Sequence, residues 1–127
     1  MALLLCGLWG FFPKLATNYI RPESVLVYEV VGSVAIGFLA LYLVGFRPET
    51  QVNGVLYGVL TGVFLTLGSL FFLFAISKGK ASVVVTMTAL YPVVTILLAF
   101  LVLREPITLR QGLGILLALV AMWLFST

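Results

Sequence analysis

The 127-residue sequence has no histidine, no aspartate and a single cysteine, Cys6. Those absences exclude a disulfide framework and a Cys/His metal centre, and they leave redox chemistry little to work with. Charge is scarce too: seven Lys or Arg and four Glu make up 9% of the chain. The basic residues are scattered at loops and form no face, so nucleic acid is a poor partner. There is no G-x-x-x-x-G-K-[ST] phosphate loop, which removes ATP as the energy source. Met1-Ala2-Leu3-Leu4-Leu5 lacks a basic n-region and an A-x-A cleavage site; it reads as the start of a spanning helix, not as a removed signal. Neither a cofactor nor a metal is expected.

What the chain does have is apolar surface. It is 63% hydrophobic, with a mean hydropathy of +1.27. A soluble domain of this length could not hide that much. The apolar runs are continuous, without the period-2 alternation of barrel strands, so they choose helices. The pattern predicts an all-α integral membrane protein: a five-helix bundle with helices near 2–18, 24–44, 52–76, 81–103 and 109–125, forming one domain over 1–127. Each run is read as a span of the roughly 30 Å bilayer core, for which about 20 residues are needed. Five spans put the two ends on opposite sides. Short loops make consecutive helices antiparallel neighbours and leave no soluble domain for an enzyme site.

The loops carry little orienting signal. Lys14, Arg21, Lys78 and Lys80 fall on one side, and Arg47, Arg104 and Arg110 on the other. Short-loop Lys and Arg normally set topology. With Lys14 moved into the membrane the two sides balance. Either copies insert both ways and pair head to tail, or the balance is chance and a partner or the insertion machinery fixes one orientation.

Several residues stand out. Lys14 and Glu29 lie at similar distances on either side of the Arg21-Pro22 turn. At about 1.5 Å per residue both sit roughly 10 Å inward on adjacent helices. Ionisable groups at that depth face a partner or a wet cavity. One reading is a Lys14–Glu29 pair that changes protonation or meets a charged substrate. The other is that both snorkel to the interface. Pro92 interrupts the fourth helix and frees the Thr88 carbonyl, with Thr86, Thr88 and Thr95 available to re-satisfy it or line a path. Tyr91 offers a hydroxyl and a ring face there, unless the kink serves only packing.

Gly54, Gly58 and Gly62 form a small-residue face on the third helix. Ser33 and Gly37, and Gly114 and Ala118, repeat that spacing. Such faces pack within one bundle or between subunits. Trp9, Tyr19, Tyr28, Tyr42 and Trp123 fall near the membrane edges. Thr108 and Gln111 have the spacing of a capping box that opens the last helix.

The stretch A-I-S-K-G-K-A-S-V-V-V-T-M-T-A-L-Y-P-V-V-T-I-L-L-A-F-L-V-L-R-E-P-I-T-L-R-Q-G-L-G, from Ala75 onward, resembles the EamA-type domain of the drug/metabolite transporter superfamily. The matching elements are Ala81-Ser82, Tyr91-Pro92, Glu105 closing the fourth helix, and Gln111 with Gly114. Leu8-Trp9-Gly10 followed by Lys14 is similar to the family's first helix. Most members of that family carry two such domains, inverted, as ten helices that move small metabolites. The resemblance therefore implies one inverted-repeat half of a ten-helix transporter, completed by a second copy as an antiparallel homodimer or by a paralogous half. Transporters of that design hold substrate near the midplane, between repeats.

The implied activity is alternating-access transport of a small organic metabolite, coupled to protons or to exchange, with no enzymatic step. The implied location is a multi-pass place in a bacterial-type inner membrane. Substrate and coupling candidates are Lys14, Glu29, Tyr91, Thr88 and Trp9. The family's second helix commonly starts with an Arg; here Val27-Tyr28-Glu29 carries the opposite charge, which bears on substrate preference. The alternatives are a non-transporting subunit of a larger complex and a flippase of a lipid-linked intermediate.

Overall fold

The computed structural model describes residues 1–126, and the described residues are helical with short connections. The helices are α1 (Ala2–Thr17), α2 (Pro22–Leu43), α3 (Val52–Lys78), α4 (Ala81–Thr88), α5 (Tyr91–Leu98) and α6 (Leu109–Ser126), with a π-turn over Ala99–Leu103 after α5. Three stretches are long and apolar enough to cross a bilayer: Pro22–Leu43, Val52–Lys78 and Ala81–Leu103. The first and last helices are shorter than the roughly 20 residues a straight span needs.

The boundaries follow local chemistry. Pro22 opens α2, where its missing N–H costs nothing, and Glu23 lies in the first turn. The α2 helix ends at Leu43, and Gly45 turns left-handed at φ 63°, followed by Phe46 at φ 58°. The α6 start is a reciprocal cap. The Thr108 N–H donates to Gln111 Oε1 at 2.8 Å, and the Gln111 N–H donates to Thr108 Oγ1 at 3.4 Å.

The stretch Ala81–Leu103 is not one continuous helix. The Pro92 ring cannot follow the Thr88 carbonyl in α-helical register. The chain breaks at Ala89–Leu90, where Leu90 N–H bonds back to Met87 O at 3.3 Å, and Pro92 takes a first-turn position in α5. The stretch then widens into the π-turn, which Arg104 ends in the left-handed region (φ 55°, ψ 32°).

The chain forms two compact units, Met1–Lys78 and Gly79–Thr127. In the first, α1, α2 and α3 pack on one another. Its core is Gly10 and Pro13 of α1, Val25 of α2, and Ser69, Phe72, Leu73 and Ile76 of α3. Leu73 and Ile76 are fully buried. The core thus gathers around the α1–α2 turn and the C-terminal half of α3. In the second unit α6 packs on α4, and none of its described residues is buried. The large exposed apolar surface of both units is what a lipid-facing helix carries.

Candidate functional site

The polar centre of the first unit is Glu29. It stands seven residues into α2 from Pro22, about 10 Å along the helix at 1.5 Å per residue. Trp9 Nε1 donates to Glu29 Oε1 at 2.8 Å, and Ser69 Oγ donates to Glu29 Oε2 at 2.6 Å. The three helices are therefore tied together at one carboxylate. Each of its oxygens meets a donor, which is what a carboxylate in surroundings poor in water needs. The Trp9 ring is held in turn by stacking on Phe72, with centroids 5.0 Å apart and planes 20° off parallel.

Beside this carboxylate is a cavity of about 40 Å³ between α2 and α3. Its polar wall is Glu29, Ser33, Thr66 and Ser69; Leu26, Val30 and Leu65 complete it. The lining positions on α2 repeat at three- and four-residue spacing, so one helical face supplies them, and the α3 positions form the facing stripe.

Lys14 is placed differently from the expected Lys14–Glu29 pair. Its ammonium donates to the Ile76 carbonyl at 2.9 Å. Ile76 lies in the last turn of α3, whose carbonyls have no partner within the helix. Lys14 therefore brings a cation to the negative end of the α3 dipole. An ion pair joins Arg21 and Glu23 at 3.6 Å, exposed on both sides and energetically small.

The remaining candidates lie apart from this cluster. Tyr91 is 68% exposed. Thr86, Thr88 and Thr95 donate one turn back along their own stretch, to the carbonyls of Ser82, Val84 and Tyr91. Their protons are used locally and do not re-satisfy the Thr88 carbonyl. A Cβ added at Gly54, Gly58, Gly62 or Gly114 would meet nothing within 4 Å, so these small positions are not spent on close packing inside the chain. Ala118 is half-buried on α6. Tyr19, Tyr28, Tyr42 and Trp123 are exposed, as belt residues are, and Trp9 is the aromatic that turns inward to a carboxylate.

Ser69, Phe72 and Thr66 were not singled out from the sequence. Their signal is a face: Leu65, Thr66 and Ser69 share one side of an apolar helix, and two hydroxyls on one stripe of a span mark a polar neighbour.

The EamA-like transporter family matches residues 1–127. This chain belongs to that family. An uncharacterized protein of Methanocaldococcus jannaschii is 39% identical over 122 residues, covering 94% of this chain and 87% of the relative. No solved structure matches. Family membership and the three long apolar stretches make this EamA-like chain a multi-pass integral membrane protein of drug/metabolite-transporter type. The Trp9–Glu29–Ser69 cluster is thus a polar locus in a transporter-family membrane chain.

Proposed function

We propose that this EamA-like protein is a half-size transporter that moves a small organic metabolite by alternating access, with a second, inverted copy completing a ten-helix assembly. In this reading α1 and α6 also cross the membrane, inside the assembly, where local thinning of the bilayer and snorkelling flanking residues make up their short length. The observation that carries it is the Trp9–Glu29–Ser69 cluster. A carboxylate about 10 Å inside a membrane chain is costly, and such groups mark substrate and ion pathways. Energy comes from a substrate or ion gradient. The 40 Å³ cavity is far below the roughly 300 Å³ of the smallest usual ligand pockets, so the metabolite binds in space that a second copy completes.

Two features support the second copy. Gly54, Gly58 and Gly62 present an unused close-packing face, the kind by which helices associate in lipid. The short-loop charges are nearly balanced, so opposite insertions cost similar amounts.

The test is reconstitution of the purified protein in vesicles. Cysteine crosslinking reports the orientation of each copy. Counterflow with radiolabelled amino acids, nucleosides and sugar phosphates reports transport. Mixed orientation with substrate-stimulated flux is the expected result. A monomer of uniform orientation, without flux, overturns the reading and returns the chain to a non-transporting subunit; flux of a lipid-linked sugar alone makes it a flippase.

A further inference from the structure

The α2–α3 cavity has a one-sided polar chemistry. A hydroxyl has one proton to give and two lone pairs to accept with. Each hydroxyl of this cavity has already given its proton. Ser33 Oγ donates to the Glu29 carbonyl at 3.0 Å, Thr66 Oγ1 to the Gly62 carbonyl at 2.9 Å, and Ser69 Oγ to Glu29 Oε2 at 2.6 Å. What remains toward the cavity is oxygen lone pairs and one carboxylate. No donor among its lining side chains is left to meet an anion or a carbonyl. Such a wall suits a hard cation, which takes oxygen ligands.

Charge and size narrow the choice. One carboxylate balances one positive charge, and in a membrane interior an unbalanced second charge is costly. The cavity of about 40 Å³ admits a small ion with a water or two, since a water needs roughly 10–15 Å³ of such volume, and is far below the roughly 300 Å³ of a metabolite-sized pocket. We propose that Glu29, Ser33, Thr66 and Ser69 form a Na⁺ site between α2 and α3. Trp9 and Ser69 hold the carboxylate in place, and Ser33 and Thr66 add neutral oxygen ligands. That this ion drives transport rests on the half-transporter reading; that it binds does not.

The site carries its own reporter. Trp9 donates to Glu29 and stacks on Phe72, so an ion at the carboxylate alters its emission. The experiment uses the full chain in nanodiscs with Trp123→Phe, which leaves Trp9 as the sole tryptophan. NaCl replaces choline chloride at constant ionic strength. The expected result is a saturable change in Trp9 emission matched by saturable ²²Na⁺ binding. Glu29→Gln abolishes both. The pair Ser33→Ala and Thr66→Ala, which spares both bonds to the carboxylate, keeps the sodium-free emission and weakens Na⁺ binding at least tenfold. Absence of saturable ²²Na⁺ binding overturns the site, as does binding that the Ser33/Thr66 variant leaves unchanged, or an emission change that follows pH and ignores Na⁺. Because binding is read without flux, Na⁺ binding in a protein that moves no metabolite removes the transporter reading alone. Flux in a protein that binds no Na⁺ removes this inference alone.

Discussion

The two units treat their few polar groups in opposite ways. In Met1–Lys78 the side chains reach across helices: Trp9 to Glu29, Ser69 to Glu29, Lys14 to the Ile76 carbonyl. From Gly79 onward Thr86, Thr88 and Thr95 bond their own stretch, and Thr108 and Gln111 bond each other. The first unit has a buried core, whereas the described residues of the second are all exposed or half-buried. The first is a packed scaffold around a carboxylate. The second is a broken span, with a proline break at one point and a π-turn at another. Cross-helix polar ties and an interrupted helix thus fall in different stretches of one short chain.

That contrast can be broken or sharpened by substitution. The largest effect is expected from Trp9→Ala, which removes a hydrogen bond to a charged group and a ring stack. It should cost about 2–4 kcal/mol, read by unfolding in mixed detergent micelles. Lys14→Met should cost about 2 kcal/mol in the same assay by leaving the end of α3 uncapped, with Trp9 emission unchanged. Gly58→Leu should leave the stability of the single chain intact, because the new side chain meets open space, yet weaken self-association roughly tenfold in sedimentation, about 1.4 kcal/mol. Arg104→Gly should stabilise the second unit by about 1 kcal/mol, because Arg104 holds a left-handed backbone that glycine adopts without strain. The smallest effect is expected from Tyr91→Ala. At 68% exposure it should change stability by less than about 0.5 kcal/mol. A cost for Tyr91→Ala equal to that of Trp9→Ala would erase the distinction between the units.

Much of the local structure was legible because its causes are local. The Thr108–Gln111 cap, the stop at Gly45 and the helix start after Lys80 follow from residues within a few positions, whereas α2 begins at Pro22, two residues before the expected start at Ser24, because proline suits a first-turn position. That Glu29 needs polar partners was legible, because a carboxylate inside an apolar run is costly wherever its helix points. Its partners were not. Depth fixes how far along α2 the carboxylate sits, but hydropathy of a helix that is apolar all round does not fix its rotation. Lys14 and Trp9 are five residues apart on α1, and sequence spacing favoured the cation where the geometry presents the indole. Pro92 was legible as an interruption. Its outcome as a break at Ala89–Leu90, with a π-turn beyond, depends on how the chain accommodates the lost bond.

The bond from Lys14 to Ile76 joins residues 62 positions apart, and the Trp9–Phe72 stack spans a similar distance. A ribosome delivers these partners at very different times. When α1 enters the membrane it carries an ammonium and an indole N–H whose partners on α2 and α3 have not been made. The short first helix can reach Glu29 once α2 is made, but its Lys14–Ile76 bond and Trp9–Phe72 stack form only as the last turns of α3 arrive. The contacts of α1 with α3 therefore wait for the synthesis of residues 69–78, and a crosslink between α1 and the C-terminal half of α3 should form only in nascent chains arrested well beyond Lys78.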